Sequence, residues 1–394
     1  MPKLSNRVDT FTDSVIRRMT RINDETPGSI NLSQGFPDFD PPKEILDALK
    51  ANAEGGPQHQ YSITFGAANI RHCVAEKYSP RFGHDIDPDK EIVITCGSTE
   101  AMMATMMTVC NPGDNVIVFS PFYENYGADA ILSGAHPIYV DLTPPTYDFD
   151  REKLEAAFKE NAKAIIVCNP SNPCGKVFTR EELQFIVDLA VKYDAFVITD
   201  EVYEHILFEP NVHVSAASLP GGWGRVITCN SLSKTFSITG WRIGFVIAPE
   251  AVAENIKKVH DFLTVGAAAP LQEAVCAGFA LGEPYYKSLQ ETYTKKKAIF
   301  LKGLDDAGLL HNDPQGAYFV MVDISNFLCK PKFQGWTDLE FCEWMIKEVG
   351  VAAVPGSSFF KNGTNNLIRL HFARGEESLR EATRRLGLLK KYLA

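Results

Sequence analysis

The sequence predicts an α/β fold: an open, mostly parallel central sheet flanked by helices, joined to a smaller α+β part. Three observations carry this expectation. Short, β-branched apolar runs at 91–95, 115–119, 164–168, 196–199 and 225–229 recur between stretches of helical character. Each run is followed by side chains able to bind a ligand, and open parallel sheets bind ligands at the carboxyl ends of their strands. At 394 residues the chain is also too long for one compact core. The expected division is an N-terminal arm with part of a small domain over 1–45, a large domain over 46–283, and a linking helix with the C-terminal small domain over 284–394.

Composition narrows the function classes. The net charge of −10 argues against nucleic acid or an anionic membrane as partner. No apolar run approaches the roughly 20 residues of a membrane helix, and residues 1–7 lack the apolar stretch of a secretory signal. The nine cysteines are scattered without a CxxC pair, and the nine histidines show no HExxH spacing, so no metal site and no disulfide framework is expected. Reduced thiols and a cytoplasmic location follow.

In chain order, residues 1 to about 30 carry a weakly amphipathic helix with Val15, Ile16, Met19 and Ile22 on one side. The Gln34-Gly35-Phe36-Pro37-Asp38 segment has too much Pro and Gly for a regular element: either a connecting loop, or a place where Gly35 lets backbone approach a ligand. Helices are expected at 43–52 and 67–77, with Tyr61 between them more readily packing than chemistry. After strand 91–95, Gly97-Ser98-Thr99 opens a helix; a helix N-terminus is an anion site, although Ser and Thr are also ordinary caps. Strand 115–119 leads to Phe122 and Tyr123, where an aromatic could be core or a flat surface for a flat ring. Strand 164–168 leads to Asn169-Pro170-Ser171-Asn172-Pro173, which forces extended or turn geometry. Strand 196–199 ends in Asp200, with Tyr203 three residues later; such an aspartate is often only a helix cap. His205 is expected to be structural.

The fifth strand runs into Ser231-Leu232-Ser233-Lys234, with Arg242 eight residues after the lysine. An amine among apolar and cationic neighbours is less readily protonated and can form an imine with an aldehyde. Hydroxyls and a guanidinium beside it suit a phosphate. Aldehyde and phosphate together describe pyridoxal 5′-phosphate. A further strand is expected at 243–248 and helices at 250–263, 271–281 and 284–304. Strands at 316–323, 351–354 and 367–372 and helices at 337–348 and 376–392 make up the α+β part. Arg369 lies inside an apolar strand, where a cation is costly without an anionic partner, protein or ligand.

On the run 231–242, the Asn-Pro-x-Asn-Pro-x-Gly segment, Asp200-Glu201-Val202-Tyr203 and Arg369, the sequence resembles the class I aminotransferases of the aspartate aminotransferase superfamily. Matching motifs run from residue 31 to 372. The resemblance implies fold type I and assigns roles. Lys234 carries pyridoxal phosphate; Ser98, Thr99, Ser231, Ser233 and Arg242 bind its phosphate; Tyr123 stacks on its ring. Asn172 and Tyr203 bond its ring oxygen, Asp200 pairs with its ring nitrogen, and Arg369, Asn172 and Gly35 border the substrate. Tyr61 reaches the phosphate of the other subunit of a homodimer. Cys174 stands where threonine is usual, a change conservative in size. Thr99 stands where some dicarboxylate-specific relatives have a lysine. The Gln-Gly-Phe-Pro-Asp-Phe and Asp-Glu-Val-Tyr-Glu-His segments are nearer the methionine, kynurenine and glutamine aminotransferase branch. The implied activity moves the α-amino group of an L-amino acid to a 2-oxo acid; the alternatives are a C–S β-lyase on the same scaffold, or an aspartate-type or LL-diaminopimelate aminotransferase.

Overall fold

The computed structural model describes residues 2, 4–5, 14–55 and 59–393; the opening of the expected arm, residues 1, 3 and 6–13, lies outside the described residues. Helix α1 (Val15–Asp24) starts at Ser14, whose hydroxyl accepts from the Arg17 backbone N–H. Strand β1 (Ile30–Asn31) and helices α2 (Lys43–Glu54) and α3 (Ala68–Phe82) follow. The chain then alternates through β2 (Ile92–Thr95), α4 (Ser98–Val109), β3 (Asn115–Ser120), α5 (Asn125–Leu132), β4 (His136–Thr143), β5 (Asp148–Phe149), α6 (Arg151–Lys159), β6 (Ala162–Cys168), α7 (Arg180–Lys192) and β7 (Phe196–Asp200). After β8 (Val226–Ser231) come the single turn α8 (Leu232–Thr235), β9 (Gly244–Ile247), α9 (Glu250–Thr264) and α10 (Ala269–Phe279). The long α11 (Gly282–Ala307) leads to β10 (Leu310–His311), β11 (Phe319–Asp323), α12 (Ser325–Leu328), α13 (Asp338–Val349), β12 (Val351–Ala352), β13 (Val354–Pro355), β14 (Leu367–His371) and α14 (Glu376–Leu386).

The central sheet has the order β2-β9-β8-β7-β6-β3-β4-β5. Strands β4, β3, β6, β7 and β8 are parallel; for β3, β6, β7 and β8 the buried β-branched runs predict this, while β4 is not among the expected strands. The exceptions are informative. β5 closes a hairpin on β4, and β9 lies between β2 and β8 antiparallel to both. The register sets Gly244 beside both Thr95 and Ser231. Arg242, two residues earlier, is thereby returned to the gap between two strand ends.

Alternation along the strands fills two cores. Ile117, Ile165 and Val197 join the apolar cluster on one face of the sheet, while Val118, Ile166 and Ile198 join that on the other. A third core belongs to the antiparallel sheet β10-β11-β14-β13 and the helices around it, including Met19 of α1. β1 pairs with β12, so the N-terminal segment is stitched to the C-terminal part. Helix α3 runs five residues beyond the expected end at Lys77, despite Pro80. The missing N–H costs one helical bond near the end, whereas Tyr78 and Phe82 beyond Lys77 are buried in the core.

Candidate active site

A cavity of about 830 Å³ opens where the carboxyl ends of the parallel strands face the C-terminal part. Ser98, Thr99, Tyr123, Asn172, Asp200, Tyr203, Ser231, Ser233, Lys234, Arg242, Arg369 and Gly35 all line it. Tyr61 does not; it stands 90% exposed on the outer surface.

One corner is built for an anion. Gly97, not a serine or threonine, occupies the cap position of α4, with φ 81° and no side-chain acceptor for the first-turn N–H groups. The plain capping explanation for Ser98 and Thr99 therefore fails. A Cβ on Gly97 would come within 2.5 Å of Arg242 Nη2, so the glycine is what allows the guanidinium to lie against the turn. Arg242 itself has φ 56° and donates to the Thr239 carbonyl at 3.2 Å, with no carboxylate partner among the described residues. The Ser231 and Ser233 hydroxyls lie 2.7 Å apart. Free amides, hydroxyls and an uncompensated cation converge there.

Lys234 sits on the turn after β8. Its Nζ donates to the Gly35 carbonyl at 3.3 Å and lies 6.0 and 5.9 Å from the ring centres of Tyr203 and Tyr318. Asp200, at the end of β7, is 6% exposed. It accepts from the Tyr126 hydroxyl at 2.7 Å and from the Val202 N–H at 3.4 Å. Burial raises its carboxyl above the usual range; Tyr126, Val202 and the Lys234 charge pull the other way. So Asp200 does hold a local backbone amide, as a cap would, and still presents a carboxylate to the cavity.

Arg369 is fully buried on β14 between the rings of Phe319 and Phe359, at 4.4 and 4.7 Å from their centres. Nη1 donates to Asn172 Oδ1 and Nη2 to the Ser33 carbonyl, both at 2.7 Å, while Nε has no partner. Among the described residues no carboxylate pairs with it, and burial pushes its guanidinium down to about 10. The bond to Arg369 fixes the oxygen side of the Asn172 amide, which leaves the NH₂ side to donate. A structural Arg–Asp pair is thus excluded among the described residues. What remains is a buried cation suited to a ligand carboxylate.

Gly35 earns its place for a reason other than φ. A Cβ there would come within 2.6 Å of the Phe319 ring, and the Gly35 carbonyl also accepts from Tyr318 at 3.0 Å. Of the two aromatics after β3, Tyr123 lines the cavity, whereas Phe122 is core beside Tyr139. His205 stacks on Tyr286 at 3.8 Å and contacts Lys77, outside the cavity. Sequence reasoning passed over Tyr126, Tyr318, Ser33 and the cavity-facing side of α1. A tyrosine three residues after Tyr123, at the start of a helix, was the available sign for Tyr126.

The aminotransferase class I and II family model matches residues 27–386. The kynurenine–oxoglutarate transaminase of Dictyostelium discoideum is 34% identical over 399 residues, covering 92% of this chain and 91% of the relative. The methionine aminotransferase of Escherichia coli is 34% identical over 362 residues, with 92% of each chain covered. The solved structure of N-succinyldiaminopimelate aminotransferase from Mycobacterium tuberculosis superposes with a TM-score of 0.91 at 33% identity, over 98% of this chain and all of that one.

Proposed function

The chain belongs to the aminotransferase class I and II family and is a pyridoxal-phosphate-dependent aminotransferase, and from that premise we propose which of its residues carry the transfer and how. One observation supports the assignment above the rest. A lysine amine and a guanidinium N–H that find no carboxylate among the described residues, together with a buried carboxylate, belong to side chains that line one cavity.

The residues fit the cofactor. Ser98, Thr99, Ser231, Ser233, Arg242 and the open turn of α4 would hold its phosphate, and Lys234 its aldehyde carbon. Tyr123 would cover its ring, and Asn172 and Tyr203 would donate to its ring oxygen. When bound, pyridoxal 5′-phosphate supplies an electron-withdrawing ring that takes up the electron pair left as the substrate Cα loses its proton. Asp200, steadied by the Tyr126 hydroxyl, would keep a proton on the ring nitrogen by staying ionised. Arg369 binds the α-carboxylate, and with Asn172 it orients the Cα–H bond toward Lys234. Once the donor's own amino group has displaced it from the cofactor carbon, the freed Lys234 Nζ would take that proton as base and return one as acid. With one water consumed, an L-amino acid would leave as its 2-oxo acid while its amino group stays with the cofactor, and an acceptor 2-oxo acid would take up that group, releasing a water, by the reverse sequence. By kinship with the methionine and kynurenine relatives, we take their kind of amino acid as the donor.

The same proposal includes the expected division at residues 45 and 283, a cytoplasmic setting in keeping with nine free cysteines, and a homodimer. Supporting the dimer, Tyr61 and Ile63 are 90% and 55% exposed, and Phe262 and Val265 are 91% and 49% exposed. Thr64 donates to Asp261 at 3.2 Å and ties the two apolar segments together. Their burial against a second copy would bring Tyr61 to the partner's phosphate corner.

Lys234→Ala tests the central role. The variant is expected to fold with unchanged circular dichroism, lose the shift of visible absorbance that added amino acid causes, and lose nearly all turnover. Wild-type turnover by this variant would overturn the assignment.

A further inference from the structure

His260 of α9 is fully buried, and both of its ring nitrogens are engaged. Nε2 lies 2.9 Å from the Thr64 carbonyl, and Nδ1 lies 2.8 Å from Glu100 Oε1 and 3.2 Å from the Thr264 hydroxyl. A carbonyl can only accept, so Nε2 carries a hydrogen. The 2.8 Å contact of Nδ1 with a carboxylate oxygen needs a proton between them as well. Imidazole is the stronger base of the two side chains, which makes the pair an imidazolium against a carboxylate. Its net charge is zero.

The plain explanation is a buried ion pair that joins α4 to α9. Its position gives it a second consequence. Glu100 is in the first turn of α4, whose open amides form the anion corner of the cavity. Its Oε2 accepts from the Cys96 N–H at 3.1 Å, ahead of the helix, and so leaves those amides free. Arg242 lies against Gly97 of the same turn. Burial raises the Cys96 thiol; the Thr264 hydroxyl and the Arg242 charge lower it, and the Glu100 charge raises it further, so one residue of this turn feels both charges. An uncompensated carboxylate here would repel a phosphate bound at the amides. Neither Glu100 nor His260 lines the cavity.

We propose that His260 is a positioning residue for the cofactor phosphate: it cancels the charge of Glu100 and turns that carboxylate away from the anion corner. This rests on the aminotransferase reading and adds to its phosphate site a residue that touches no cofactor atom. The far side of the same ring holds the Thr64 carbonyl, and with it the segment that carries Tyr61.

The test compares two aldehydes. Full-length protein freed of cofactor is titrated with pyridoxal 5′-phosphate and with pyridoxal, which lacks the phosphate, and visible absorbance reports binding. Wild type is expected to bind the phosphorylated aldehyde at least about 100-fold more tightly, as several charge-assisted bonds allow. H260Q should lose about tenfold of this preference, with its pyridoxal affinity within about twofold of wild type, because one charge near the phosphate is left unopposed. H260Q/E100Q, with the carboxylate gone, should recover most of it. A merely structural contact predicts the opposite, a double variant at least as weak as H260Q. Either that result or an unchanged preference in H260Q would overturn the proposal and leave the aminotransferase reading standing. Equal wild-type affinity for the two aldehydes would overturn the phosphate assignment and the proposal together. Should H260Q fail to fold, nitrogen-15 spectra of histidine-labelled holoenzyme decide. At about pH 8, where an ordinary histidine is neutral, one ring should carry hydrogen on both nitrogens and lose one in E100Q. Absence of that ring would overturn the proposal.

Discussion

Arg369 shows how a single residue separates a structural from a functional explanation. A guanidinium buried between two rings, with no carboxylate and no Nε partner among the described residues, is a cost to the folded chain. Arg369→Gln is therefore expected to lower kcat/KM by about 100-fold or more, the scale of losing one partner of a buried charge pair. Its melting temperature should hold or rise. A fall in both would mean that the arginine serves the fold. At this scale the sequence was informative where a residue type was out of place. An arginine in an apolar strand and a lysine after two serines stand out from their surroundings. Tyr126 and Tyr318 did not, because a tyrosine beside a strand is ordinary core material until its hydroxyl is located. Tyr126 bears on the site through the 2.7 Å bond to Asp200, a contact between residues 74 apart in the chain.

At the scale of elements, the loop after β7 is fastened to α3 by one buried carboxylate. Glu204 takes bonds from Lys77, Tyr78 and Arg81 of α3 and from Asn230 of β8. Glu201 and His213 stand close enough to form a cation site with it, but those donors already fill the Glu204 oxygens. Burial alone would raise the Glu204 carboxyl; Lys77, His205, Arg81 and His213 outweigh it and hold the group well below the usual range. The stabilisation is thus present above the unfolded carboxyl value of about 4.3 and is lost as pH falls through the lower folded value. Glu204→Gln should cost about 3–5 kcal/mol at pH 7, because two cations are left without their anion. The deficit should shrink on acidification, as urea unfolding at pH 7 and pH 3 would show; a constant deficit would contradict the account. The sequence placed the parallel strands β3, β6, β7 and β8, since each is a continuous β-branched run, and missed β4, whose Pro137 and Asp141 interrupt the apolar pattern. It left the two-residue strands β1, β5 and β10 indistinct and ran β12 and β13 together as one strand at 351–354, since such short strands are defined by their partners and carry no period of their own.

At the scale of the molecule, the central sheet and the C-terminal part were legible because apolar periodicity changes along the chain. How they face each other was not, because the cavity depends on contacts such as Arg369 with Ser33. The outer patch of Tyr61, Ile63, Phe262 and Val265 is an apolar surface that one chain leaves uncovered. If the proposed homodimer forms through this patch, Phe262→Asp is expected to shift the protein toward monomer in sedimentation and to weaken cofactor retention; an unaltered sedimentation coefficient would contradict that interface. The most direct test of the whole account is a half-reaction. Holoenzyme is mixed with an excess of each of a panel of amino acids, without any acceptor, and the released 2-oxo acid is counted. The account requires a single burst equal to the number of active sites for at least one amino acid, ending until a 2-oxo acid is added. Continuous release without an acceptor, with thiol freed from cystathionine, would contradict it in favour of β-elimination.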